Sequence, residues 1–231
     1  MSRFWIAAGL LSLGLAVSPS VRAAPDTLPG SGSVSYTFGT GTNQWQVDIT
    51  ACHETSSPDC SNEQVIGTVT ANGSLVLTYE AVSGPSLLST TAITGPNMDM
   101  GFNETVTQKS GKLVNSVTLQ LTGTIANSGD ALDVHTSMTD TGVGQNFSIN
   151  TNMTNGSSPF TVSQALATPS SVLTITKDMA ASSLHGTSGD AVALNTVTQT
   201  FNVPEPASLS LLALGLGGLI AARRHRTRAT G

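Results

Sequence analysis

The residues best placed to do chemistry are few. Asp133 and His135 sit two apart in a stretch of alternating polarity, so on an extended strand they point to the same side, with Asp130 and Asp140 in the adjoining turns. A carboxylate beside an imidazole can hold a divalent cation or pass a proton. A solvated strand face is the commoner origin of such a pair, and no metal ligand or catalytic residue is assigned from it. Asn97, Asp99 and Asn103 offer oxygen ligands around a glycine but lack the regular acidic spacing of a calcium loop, so they read as a turn. Asp48, Glu80, Asp99 and Glu104 are dispersed carboxylates of the kind that glycoside cleavage uses without any short motif. Cys52 and Cys60 enclose a turn-rich loop that also carries His53 and Glu54, which allows either a disulfide or a Cys-His-Glu-Cys metal site. No nucleophile elbow, His-Glu-x-x-His pair or phosphate-cradling glycine loop is present, and no cofactor is expected.

The two ends of the chain determine where any such chemistry would take place. Met1-Ser2-Arg3 is a short positive region, residues 4–17 are apolar, and Val21-Arg22-Ala23 ends in small residues, the pattern of a secretory signal peptide over 1–23 cut between Ala23 and Ala24 by signal peptidase. Outside the reducing cytoplasm the Cys52 and Cys60 pair is most simply a disulfide, worth roughly 2 to 3 kcal/mol on chain-entropy grounds. At the other end, Val203-Pro204-Glu205-Pro206 is followed by an uncharged apolar run over 207–222 and a basic tail over 223–228 containing Arg223, Arg224, Arg226 and Arg228. Two prolines flanking one residue hold the backbone extended, as a protease that binds extended chain requires. The apolar run predicts a transmembrane helix roughly 24 Å long against a hydrocarbon core of about 30 Å, with the arginines retained on the cytoplasmic side.

That order of motif, apolar run and arginine cluster resembles the PEP-CTERM sorting signal of Gram-negative bacteria. The resemblance is confined to residues 203–231. It implies insertion in the inner membrane, processing near Pro204 to Pro206 by an exosortase-like membrane protease, and delivery to the cell surface or extracellular matrix. Extracellular polysaccharide is the further partner that it implies.

Between the two signals, residues 24–202 form the expected exported domain, long enough for one core. All six arginines fall in the targeting segments. Residues 24–203 therefore carry only Lys109, Lys112 and Lys177 against 13 acidic residues, a net charge of 3 − 13 = −10. Such a surface repels polyanions, which excludes nucleic acid as a partner.

Ser, Thr and Val are abundant, aromatic residues are scarce, and no sustained helical period occurs within the domain. Alternation places Val34, Tyr36 and Phe38 on one strand face, and likewise Trp45, Val47 and Ile49, then Leu75, Leu77 and Tyr79, then Val117, Leu119 and Leu121. Further strands are expected over 65–70, 87–94, 98–106, 131–138, 145–153, 172–177 and 191–201, although by about Thr196 the chain is also expected to turn toward the sorting signal. The fold class is all-β, an antiparallel β-sandwich, with a β-barrel or β-solenoid as alternatives. Ser128-Gly129-Asp130 and Ser188-Gly189-Asp190 read as two similar turns, each feeding a strand. The function expected is that of a non-enzymatic, surface-sorted structural or interaction protein. A calcium-assisted carbohydrate-binding module and a secreted hydrolase are the alternatives.

Overall fold

A computed structural model describes residues 21–22, 26–29, 32–54, 60, 62–84, 86–90, 98–110, 112–125, 131–140, 144–154, 159–182 and 192–204. The strands are β1 (Val21–Arg22), β2 (Asp26–Thr27), β3 (Ser33–Phe38), β4 (Trp45–Glu54), β5 (Glu63–Val69), β6 (Leu75–Ala81), β7 (Leu88–Thr90), β8 (Met98–Gln108), β9 (Val114–Ile125), β10 (Ala131–Asp140), β11 (Gln145–Thr154), β12 (Phe160–Ser170), β13 (Val172–Ser182) and β14 (Val192–Asn202). One 3-10 turn, Gly41–Asn43, separates β3 from β4. All strand pairs are antiparallel. One sheet runs β1-β5-β6-β14-β9-β12, with β2 also on β5 and β7 also on β14; the other runs β11-β10-β13-β8-β4-β3. The two sheets pack as a sandwich, and the barrel and solenoid alternatives fall away.

Alternation explains the core. Trp45, Val47, Ile49, Leu75, Leu77, Tyr79, Val117, Leu119 and Leu121 are all fully buried, as their spacing predicts. Val34, at the start of an edge strand, is the exception among the expected inward residues, at 37% exposed. Gly67 is a point of close approach between sheets: a Cβ there would lie 2.2 Å from the Phe38 ring. The rings of Trp45 and Phe201 lie 6.2 Å apart, and the Trp45 indole N–H donates to the Gly73 carbonyl at 3.0 Å.

The short strands β1 and β2 were not expected, β1 falling within the expected signal peptide, and three longer strands also depart from the sequence expectation. β12 was not expected, because most of its residues are exposed, so it has no apolar face to announce it, and Pro169 falls within it. It lies at a sheet edge, where a missing N–H is tolerated. β13 runs on to Ser182. β14 does not give way at Thr196: it continues to Asn202, because Val197, Gln199 and Phe201 still face the core and β6 and β9 still pair on either side. The strands that follow the two Ser-Gly-Asp turns, β10 and β14, lie in different sheets, and the turns themselves lie outside the described residues.

The signal peptide through residue 20, the Ala23 and Ala24 cleavage residues, the apolar run 207–222 and the basic tail also lie outside the described residues. Among the described residues no helix is long and apolar enough to cross a membrane. Val21 and Arg22, the last residues before the cleavage site, pair with Val69 and Thr68.

Candidate functional site

The sorting segment begins without a linker. β14 is an interior strand, bonded to β6 over Thr196–Phe201 and to β9 out to Asn202. The very next residue, Val203, is still buried, and its N–H donates to the Ser74 hydroxyl at 3.0 Å. The Asn202 side chain donates to Thr118 Oγ1 at 3.2 Å. Pro204 is exposed. The motif is thus divided: Val203 belongs to the sandwich, Pro204 leaves it, and Glu205 and Pro206 lie outside the described residues. Sequence reasoning found the motif but missed that its first residue is a core residue. Continuing the parity of Val197, Gln199 and Phe201 by one more step would have shown it.

The loop cysteines form a disulfide, with Cα atoms 6.1 Å apart, so the alternative metal site does not exist. Cys60 takes φ 44°, in the left-handed region, to close the loop.

The dispersed carboxylates do not converge. Asp48 accepts from the Gln46 side chain at 2.9 Å on the outer face of β4, and Glu80 accepts from Gln64 at 3.0 Å on the other sheet. Glu104 points into the core instead. There it contacts Lys177 Nζ and accepts from the Tyr79 hydroxyl, and Lys177 Nζ also donates to the Tyr79 oxygen at 3.0 Å. The ammonium lies 4.2 Å from the centre of the Tyr79 ring and 5.1 Å from that of Phe102. Burial pulls the Lys177 pKa down to about 8, with Glu104 acting against it. Burial, then the charge and hydrogen bond of Glu104, pushes the Tyr79 phenol well above its ordinary value. Tyr79 comes from one sheet and Lys177 and Glu104 from the other, so this trio ties the two layers together.

On the outside of the same strands is a cleft of about 300 Å³ lined by His53, Asp99, Asn103, Thr176 and Asp178. Gly101 forms part of its floor; a Cβ there would lie 2.6 Å from His53 Cε1, so the glycine lets the imidazole lie across the strand. Asp99 is held above the usual carboxylate range by burial, and further by its hydrogen bond with Asp178 and by that residue's charge, while His53 opposes the shift. Asn103 accepts from Thr176 Oγ1 at 2.7 Å. Sequence reasoning named Asp99 and Asn103 together, placed His53 with the cysteines instead, and did not name Asp178; the register of β4, β8 and β13 brings all four side by side. Asn97 lies outside the described residues. His135 is exposed on β10, opposite Asp178 in register. No group of three or more metal-ligating side chains is found among the described residues.

Comparison with known proteins gives one match by family: the PEP-CTERM protein-sorting motif, over residues 202–226. No curated protein matches the chain. Among solved structures, a TmCBM61 in complex with beta-1,4-galactotriose aligns at 11% identity and TM-score 0.29, covering 67% of this chain and 86% of its own. A family two carbohydrate esterase from Cellvibrio japonicus aligns at 14% identity and TM-score 0.27, covering 76% and 36%. A CBM4 structure aligns at 12% identity and TM-score 0.24, covering 78% and 96%. At these scores the likeness carries nothing about ligand or chemistry. What the match and the geometry do establish is that residues 202–226 are a PEP-CTERM protein-sorting segment, grafted without a spacer onto an interior strand of a β-sandwich, and that the chain is one exported and sorted by way of the membrane.

Proposed function

We propose that this is a non-enzymatic interaction or structural protein of the cell surface or extracellular matrix, released from its membrane-inserted precursor by an exosortase-type protease and associated there with exopolysaccharide. The observation that carries the reading is the division of the sorting motif at Val203. A protease that binds extended chain cannot take Val203 into its cleft while the sandwich is folded, because Val203 is buried and its N–H is already bonded to Ser74. Cleavage therefore falls at or after Pro204 and leaves the sandwich whole. The cleft at His53, Asp99 and Asp178 supports a second reading, a carbohydrate-binding module in which carboxylates, alone or through Ca²⁺, meet sugar hydroxyls.

Intact mass of the protein from membrane, surface and medium fractions, compared in cells with and without the processing enzyme, tests the first reading. The expected product begins at Ala24 and ends between Pro204 and Pro206, and any mass added at the new end identifies an attachment. A product ending at Gly231 in both strains overturns it. For the second reading, Ca²⁺ is expected to raise the melting temperature of the wild-type protein and not of Asp178→Asn.

A further inference from the structure

Resting on the membrane-sorted reading above, a second use of the same end of the molecule emerges. Both targeting segments leave the sandwich at one pole. β1 pairs Val21 with Val69, the last residue of β5, and β14 ends beside Leu75 and Val117, at the start of β6 and β9. The turns at this pole are bonded to one another: Lys112 Nζ to Asn43 Oδ1 at 2.5 Å and to the Asn72 carbonyl at 3.5 Å, and the Lys109 N–H to the Gln44 carbonyl at 2.9 Å.

The charge of the domain is sorted along its length. Of its three lysines, Lys177 is buried, and the other two, Lys109 and Lys112, stand at this pole beside Leu113, an apolar side chain 45% exposed. Glu54, Glu63, Glu80, Asp99 and Asp178 lie in the opposite half, by register. Among the described residues, Asp48 and Asp140 are the acidic residues placed nearer the lysines.

A short tether fixes the distance from the membrane. Only Pro204, Glu205 and Pro206 separate Val203 from the C-terminal apolar run, the anchor that remains once the signal peptide is removed. Three extended residues span about 10 Å, close to one Debye length at physiological salt. We propose that this pole is a membrane-docking surface: the exposed Lys109 meets anionic phospholipid headgroups, the Lys112 charge stands behind it in the turns it ties together, and Leu113 enters the interface, holding the anchored domain with its acidic end away from the lipid. The acidic residues Glu54, Glu63, Glu80, Asp99 and Asp178, set by register in the far half, oppose the reverse orientation on an anionic surface.

The test uses the full chain reconstituted into vesicles of phosphatidylcholine, with or without phosphatidylglycerol, carrying a photo-crosslinking benzoylphenylalanine in place of Leu113. The same label in place of Val82, which is 48% exposed at the opposite pole, is the control. Lipid adducts are expected at 113 and not at 82. Phosphatidylglycerol is expected to raise them about fivefold and Lys109→Gln to lower them about fivefold, the effect of one lysine at an anionic surface. Equal adducts at the two positions, or no dependence on phosphatidylglycerol, overturn the proposal while the anchored reading stands. Alkaline extraction of the unlabelled chain separates the two: a chain that leaves the vesicles under carbonate overturns the anchored reading, and this proposal with it.

Discussion

β8 and β13 carry two charged clusters on opposite faces of one sheet, and they are built on opposite terms. Inside, Lys177 and Glu104 neutralise each other, the Tyr79 hydroxyl bridges them, and two aromatic rings flank the ammonium. Outside, Asp99 and Asp178 are like charges held together, with the His53 charge acting against their repulsion. Lys177 and Asp178 are neighbours in sequence, so a single step along the strand separates a satisfied buried pair from a mutually repelling one, half-buried at Asp99 and exposed at Asp178. The inner cluster fits structure, because every charge has a partner. The outer one sets two carboxylates side by side, so a proton or a cation would lower their mutual repulsion.

The sharpest way to break this contrast is Lys177→Met, which strands Glu104 in the core. Denaturant unfolding should show a loss of about 3 to 5 kcal/mol, with most of it recovered when Glu104→Leu is added. An unrecovered double variant would mean that packing, not charge, dominates there. Next in size, Tyr79→Phe keeps the ring and removes a hydroxyl bonded to two charged groups, at a cost of about 1.5 to 3 kcal/mol in the same measurement.

Titration sharpens the comparison further, because the two clusters respond to pH in opposite senses. Lys177 holds its proton less tightly folded than unfolded, from an ordinary 10.5 down to about 8. Between those values the unfolded chain binds more protons, so this group's contribution to stability rises with pH, and a melting series across that window should lose the rise in Lys177→Met. Asp99 is shifted the other way: folded, it keeps its proton above the ordinary 3.8. Its contribution is present below that value and is lost as pH rises through the raised folded pKa. The smallest effect follows: Asp99→Asn should raise the melting temperature modestly at neutral pH and lose that advantage near about pH 3, where the carboxyls are protonated. A variant less stable than wild type at neutral pH would show that Asp99 is held by partners that value its charge.

Much of this was legible in the sequence. The alternation of Trp45, Val47 and Ile49, or of Val117, Leu119 and Leu121, gave strand, face and core together, since a period of two has one physical meaning. The sorting motif was legible because its order is linear. The clusters were not, because they depend on which strand lies beside which. Parity places Lys177 on the buried side with Ile175 and Met179, and Glu104 with Phe102 and Val106, yet nothing local says that β8 adjoins β13 or that Tyr79 faces them from across the sandwich. β12 stayed hidden for the opposite reason: its pairing with β9 is made by the backbone, and its side chains show little of it.

The interior position of β14 also has a mechanical consequence. A pull on the C-terminal end of the chain is applied at Val203, along the axis of a strand whose hydrogen bonds run sideways to both β6 and β9. The ladders are then loaded in shear, with their bonds sharing the force side by side, whereas an edge strand peeled from its sheet would surrender them one at a time. A domain fastened at this end is held by a strand that can leave only by shearing both ladders at once, so tension on the anchor is spread over the interior of the sheet.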